Sequence, residues 1–400
     1  MTQSNHKVNY GNDIDRISDL PGNVIDCILQ HMIVKDLVKT SILSRKWRYM
    51  WTSVPRFKFG EEFYELFDNL DNPAHEFSRI ITEILFLHNG PINEFILYLP
   101  RNPKHKITFE YHNKWFLFLS RKGVKHIFLD NDEGVHVRTP SHLFSCQGLT
   151  YLYFFYFNLS IPPSFCGFKT LLQLHLLFIT FESGALESLL PGCPLLEKLA
   201  IEQCSGYECI DISSSTLTHL TVSIEENCIF RLNRSLPILQ RLDVELVCEQ
   251  MLYAHANIFP LSQLINLKYL SLDYVILDER KELLYIISIL KSASNLVEIV
   301  IQTYYGIGYE NQAPDPSEKL ECSCCCLSKL GEVKIVVRSR SQHALSLARF
   351  ILANSSSLKT LTFELPYEMQ SDARIMLNIS QDLLLMERAS QKAQVKLTHS

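Results

Sequence analysis

Leu196-Glu197-Lys198-Leu199-Ala200-Ile201 and, 21 residues further on, Leu217-Thr218-His219-Leu220-Thr221-Val222 are written to one rule. An apolar residue is followed by two free positions, a second apolar residue, one free position and a third apolar residue. Outward from this pair the rule recurs at Leu171-x-x-Leu174-x-Leu176, Leu149-x-x-Leu152-x-Phe154, Leu239-x-x-Leu242-x-Val244, Leu267-x-x-Leu270-x-Leu272 and Leu358-x-x-Leu361-x-Phe363. Looser copies begin at Ile92, Val124, Leu296 and Leu330, which makes eleven between residues 92 and 363. Side chains alternate faces along a strand, so each copy predicts one short strand with its apolar residues pointing inward. A single copy cannot bury that face; stacked copies can. The expected fold class is α/β, a solenoid whose curved parallel sheet leaves its inner face open.

Composition narrows the function. At 400 residues and 47% hydrophobic content there is ample material for a core. A formal charge of -5 and a pI near 6.3 argue against nucleic acid as a partner. Met1 to Asp13 is polar, lacks the apolar stretch of a secretory signal, and is expected to be disordered. The most apolar stretches, 149–159 and 171–181, fall short of the roughly 18 residues a membrane span needs. The expectation is a cytoplasmic or nuclear protein, off the membrane, whose cysteines are thiols.

Reaction chemistry is sparse. No glycine-rich phosphate loop or nucleophile elbow occurs, and His75-Glu76-Phe77-Ser78-Arg79 stops one ligand short of a paired-histidine zinc motif. Cys322-Ser323-Cys324-Cys325-Cys326 is too compressed to wrap a tetrahedral metal, which usually takes two separated knuckles. Cys204 reads as structural. No catalytic residue, metal site or cofactor is assigned.

Ahead of the repeats, residues 14–55 carry a helical pattern. Pro21 suits a helix start, and Val24, Ile25, Ile28, Leu29 and Met32 follow at helical spacing. Asp36 suits the cap of a second helix with Leu37, Val38 and Ile42, and Ser44 that of a short third with Trp47, Met50 and Trp51. A unit this small buries too little surface to stand alone. It either caps the solenoid or waits for a partner. Residues 56–91 are expected as a connector with one helix from Pro73 to His88. The repeats span 92–305, a Gly/Pro loop 306–325, and a closing unit 326–400, whose tail predicts an amphipathic helix through Ile375, Ile379, Leu383 and Met386.

Three phrases then carry a resemblance. Leu20-Pro21-x-x-Val24-Ile25-x-x-Ile28-Leu29, with Asp36-Leu37 and the run Thr40 to Trp51, is similar to an F-box of the plant type. Leu190-Pro191-Gly192-Cys193-Pro194-Leu195-Leu196 and Phe165-Cys166-Gly167-Phe168-Lys169-Thr170-Leu171 resemble the leucine-rich repeats of plant F-box proteins. The stretch from Cys326 to Phe363 resembles the FBD module that closes many of these chains. In that order the three identify a plant F-box/FBD/leucine-rich-repeat architecture: a three-helix F-box, a leucine-rich-repeat solenoid and an FBD-like unit. The resemblance implies a non-catalytic substrate receptor of a Skp–cullin–F-box ubiquitin ligase. Leu20, Pro21, Ile25, Ile28, Leu29, Val38, Leu43 and Trp47 would then contact the Skp-type adaptor, and cullin would arrive through it. The alternative is a leucine-rich-repeat scaffold whose helices bind the adaptor without cullin, or only cap the solenoid.

The free positions of each copy point to the open face. There Phe128, Tyr151, Tyr153, Phe155 and Leu177 form an apolar patch, the usual mark of a contact surface, where tyrosine is favoured, unless flanking loops fold over it or the register is shifted by one residue. Arg241 and Asp243 stand on later, charged rungs. These seven are the candidate contacts for a protein substrate.

Overall fold

All eleven copies form strands, and they lie side by side in chain order in one parallel sheet. The computed structural model describes residues 17–99, 109–132, 136–224, 229–232, 236–246, 264–277, 280–304, 327–338, 342–366 and 373–399. The amino-terminal tail 1–13, the loop 306–325 and the Cys322–Cys326 cluster lie outside them. The strands are β1 (Arg56–Phe59), β2 (Glu94–Tyr98), β3 (His126–Asp130), β4 (Tyr151–Phe155), β5 (Gln173–Leu177), β6 (Lys198–Glu202) and β7 (His219–Ile224). There follow β8 (Arg241–Leu246), β9 (Tyr269–Val275), β10 (Glu298–Thr303), β11 (Glu332–Val336), β12 (Thr360–Leu365) and β13 (Gln394–His399).

Register follows the apolar rule. Leu152, Leu174, Leu199, Leu220, Leu242 and Leu270 are successive Cα partners in one row. Each is at most 2% exposed. The next row, from Phe154 through Leu176, Ile201, Val222 and Val244 to Leu272, is equally buried.

The sheet runs one strand past the copies at each end. The stretch 56–91 is therefore more than a connector: it supplies β1 as well as the helix Pro73–Leu87. Phe57 and Phe59 alternate into the core with Arg56 and Lys58 outside, and with buried Val54 they make one more copy of the apolar rule, Val54-x-x-Phe57-x-Phe59, which the leucine spelling did not reveal. At the far end the expected tail helix, Ala373–Leu385, stops before β13, where Val395 and Leu397 pack against the core.

Spacing between copies decides what covers the other side. Three intervals of 28 to 32 residues hold the helices Phe109–Arg121, Arg280–Ser292 and Gln342–Asn354, each of 13 residues, and a fourth, 239–267, falls largely outside the described residues. Such a helix is about 20 Å long. Intervals of 21 to 25 residues cannot accommodate one and return through short pieces, such as the small sheet formed by Val137–Arg138, Phe157–Leu159 and Thr180–Phe181. Here the glycine phrases have a physical cause. Gly167 has φ 98°, and a Cβ on it would lie 2.4 Å from the carbonyl oxygen of Gly192 one copy later.

The amino-terminal unit has helices α1 (Gly22–Gln30) and α2 (Val34–Lys39), followed by two 3-10 turns, Thr40–Ile42 and Trp47–Ser53, in place of the expected third helix. Asp36 falls inside α2, whose cap is Ile33. Ser44 does meet the Trp47 amide, which donates to its Oγ at 3.4 Å. Ile25, Leu29, Val34, Leu37, Trp47 and Trp51 belong to one continuous core that reaches Ala393. The unit thus closes the β1 end of the sheet.

Two tests follow from this packing. Leu199→Asp places an unpaired carboxylate in the central row, at a cost of several kcal/mol, and a thermal melt followed by circular dichroism should show the loss. An unchanged melt would mean the register is wrong. His112, on Phe109–Arg121, is 3% exposed, and neither ring nitrogen has a hydrogen-bond partner among the described residues. Burial pushes its pKa from 6.5 down to about 4. Between those values the unfolded chain binds a proton that the folded chain refuses, so His112 lowers stability progressively as pH falls through that window. Melting midpoints of the wild type and His112→Phe should diverge there. Parallel profiles would contradict the assignment.

Candidate functional site

Two surfaces are candidates. The first is the outer face of the amino-terminal unit. Doublets Val24-Ile25 and Ile28-Leu29 put two apolar stripes on α1, one residue apart. Ile25 and Leu29 point inward, at 1% and 0% exposure, while Val24 and Ile28 stay exposed. The expected adaptor contacts separate accordingly. Pro21, Ile28 and Leu43 are exposed, and Leu20 and Val38 are half-buried. Ile25, Leu29 and Trp47 are core, which corrects their reading as surface contacts. Trp47 is held from inside, its Nε1–H donating to Ser18 Oγ at 2.8 Å, and the Lys46 ammonium donates to the Ser18 carbonyl.

Ile17, Ile33, Ile42 and Tyr49 join the exposed set, Ile42 at 82%. The sequence reading missed them as contacts. The helical spacing of the doublets was the available signal for two stripes. The side chains after α2 had none, because 3-10 turns this short do not repeat often enough to show a stripe in the sequence.

The second surface is the open face of the sheet. Phe128, Tyr151, Tyr153, Phe155 and Leu177 are all half-buried and alternate with fully buried neighbours, as the copy rule requires. Phe128 and Tyr153 stack with centroids 4.1 Å apart and planes 3° from parallel. Tyr98 lies against Phe128 at 5.2 Å, and His175 against Tyr151 at 5.5 Å. Burial, with a smaller push from Asp130, raises the Tyr153 phenol to about 12. Burial and Lys198 lower the pKa of His175, whose Nε2 has no partner among the described residues. Both groups are neutral at ordinary pH, so the patch is apolar.

A rim completes it. Tyr156, Phe178, Gln203 and Tyr274 have φ of 68°, 52°, 52° and 62°, each seven residues into its copy. Strict alternation would send that residue inward. The left-handed step shifts the parity, so that Phe157, Ile179, Cys204 and Val275 become the buried ones. The displaced rings are left at the edge: Tyr156 stacks on His136 at 4.3 Å, and Phe178 meets Phe155 at 5.4 Å. Cys204 is structural as expected, its thiol donating to the Leu176 carbonyl at 3.2 Å.

Beyond β5 the face turns acidic. Arg241 pairs with Asp243, Nε to Oδ2 at 2.8 Å. Ser223 Oγ and Gln203 Nε2 donate to Glu245 at 2.5 and 3.0 Å. Burial, then Glu245 and Asp243, raises the pKa of Glu202. Burial raises that of Asp273 against a hydrogen bond from Ser271, with Glu245 and Asp243 adding to the rise. Among the described residues no ion pair reaches Glu202, Glu245 or Asp273.

Known protein families match both regions of the chain. Residues 17–59 match the family model of the F-box domain, and residues 112–274 match that of the leucine-rich repeats of FBD-associated F-box protein At5g56370. The F-box/FBD/LRR-repeat protein At1g13570 of Arabidopsis thaliana is 28% identical over 96% of this chain and 99% of its own length. The F-box/FBD/LRR-repeat protein At2g04230 of the same plant is 28% identical over 74% of this chain and 60% of its own. F-box/LRR-repeat protein 13, also from that plant, is 28% identical over 52% and 46%.

The inner and outer stripes should separate by stability. Trp47→Ala removes a core side chain and should cost about 3–5 kcal/mol. Leu43→Asp, at a side chain 63% exposed, should stay within about 0.5 kcal/mol. Chemical denaturation of both variants checks this; equal losses would place Leu43 in the core.

Proposed function

Because the chain belongs to the F-box/FBD/leucine-rich-repeat family, we propose that it is the substrate-recognition subunit of a Skp–cullin–F-box ubiquitin ligase. The observation that carries this reading is the outer apolar face of the amino-terminal unit. Seven large apolar side chains there, Ile17, Val24, Ile28, Ile33, Ile42, Leu43 and Tyr49, are each more than a third exposed. So many exposed apolar side chains within one short helical unit are the usual mark of an interface. Helices of a Skp-type adaptor would cover it, and cullin would follow through the adaptor.

The subunit works by placement and contributes no bond chemistry of its own. A protein substrate on the open face is held near the ubiquitin-loaded part of the ligase, which raises its local concentration there. The shared core between the F-box unit and the sheet transmits that placement. The capping contact at β1 speaks for the scaffold alternative, but it uses only the inner stripe and leaves the outer face unexplained.

Ile28→Asp combined with Leu43→Asp should abolish co-purification of the adaptor and of cullin while the melting temperature stays near wild type. Retention of the adaptor by a folded double variant would overturn the reading. Adaptor recovered from the wild type without cullin would favour the scaffold.

A further inference from the structure

The open face changes character along one row. At the carboxyl ends of neighbouring strands Phe155, Leu177 and Glu202 are successive Cα partners. Two strands on, Glu245 and Asp273 are partners in the same row. An apolar surface therefore passes directly into carboxylates, all of them half-buried. Among the described residues no ion pair neutralises them. Lys198 and Arg241 stand in the row at the opposite ends of the strands, and Arg241 is engaged with Asp243. The crowding of Glu202 and Asp273 by Glu245 already raises their pKa values, so an added positive charge would relieve a repulsion.

Rings on this face already seat cations. The Lys58 ammonium lies 5.5 Å from the Tyr98 ring centre, and the Arg241 guanidinium 6.0 Å from that of Tyr269. Exposed rings flank the carboxylates, with Phe178 at 40% on one side and Tyr274 at 46% on the other. Long cationic side chains suit such a surface, because their stems cover apolar rings while their heads reach charge. From β4 to β9 the row is about 24 Å long, the length of about seven extended residues.

We propose that the open face binds an extended segment rich in arginine or lysine, its apolar side chains on Tyr153 and Phe155 and its cations on Glu202, Glu245 and Asp273. This rests on the receptor reading above and names the chemistry of the substrate segment.

The full chain, co-expressed with a Skp-type adaptor and purified through its own tag, is titrated into a fluorescein-labelled peptide of alternating arginine and leucine, read by fluorescence anisotropy. Peptides with serine or glutamate in place of arginine are run beside it. The arginine peptide should bind at least about tenfold more tightly than the serine peptide, and weaken as salt screens the charges. Glu245→Gln with Asp273→Asn should weaken it by at least about tenfold without affecting the serine peptide. If that pair lowers the melting temperature, Glu202→Gln alone is the second variant, with a smaller loss expected. Equal binding of the serine or glutamate peptide, or an unchanged affinity in a folded carboxylate variant, would overturn the proposal. So would a concentration-dependent dimer that the same substitutions dissolve, which would give the face to a second copy of the chain. Adaptor co-purification distinguishes the two failures: adaptor bound without arginine selectivity sinks this inference alone, whereas selectivity without adaptor sinks the ligase reading alone.

Discussion

Burial of each copy's apolar residues against the copies on either side is the interaction on which the rest of this structure depends. A fully buried leucine contributes about 1.5–3 kcal/mol relative to an exposed one, but no copy holds a core of its own. Stacking therefore has to continue until something closes it. At one end the F-box unit does so, with Trp47, Trp51 and Val54 running directly into Phe57 and Phe59. Towards the other end the helix Ala373–Leu385 and β13 extend the same core to Met386 and Ala393.

The two candidate surfaces are the parts of the chain that this core leaves over. Inward side chains are spent on stacking, so specificity is left to the intervening positions of the sheet and to the outer stripe of α1. That separation has a functional consequence. Side chains on the open face can change without disturbing the apolar rows, which suits a scaffold that reads different partners. Ala200 shows the constraint where the face is tight: it occupies an open-face position yet is 4% exposed, between His175 and Thr221.

Electrostatics grades the open face from apolar to acidic. Burial keeps the tyrosine phenols and His175 neutral, while Glu202 and Asp273 are crowded by Glu245 and Asp243. The left-handed residues at the rim join both halves. Each costs on the order of 1–3 kcal/mol outside glycine, and the buried residue that follows it offsets the strain.

Much of this was legible in the sequence because the copy rule is local: three apolar residues at fixed offsets determine a strand, its inward face and its neighbours. Eleven strands, their parallel order, and the aromatic rungs from Phe128 to Leu177 follow from it. So do the two glycine phrases, once copies are known to stack. The tertiary structure decided what has no local period. Strand β13 breaks the rule, with Lys392 where its first apolar residue would stand, and β1 obeys it only in the leucine-free form Val54-x-x-Phe57-x-Phe59, far from the next copy in the chain. On α1, adjacent apolar residues give both stripes the same spacing, and only tertiary packing decides that Ile25 and Leu29 turn inward while Ile28 stays out, as it does for Trp47 against Leu43 in the stretch after α2. The acidic row likewise joins residues 202, 245 and 273, too far apart in the chain for any motif. Parallel register brings their carboxylates together, because hydrogen bonding between strands aligns the ends of copies whatever the length of chain between them.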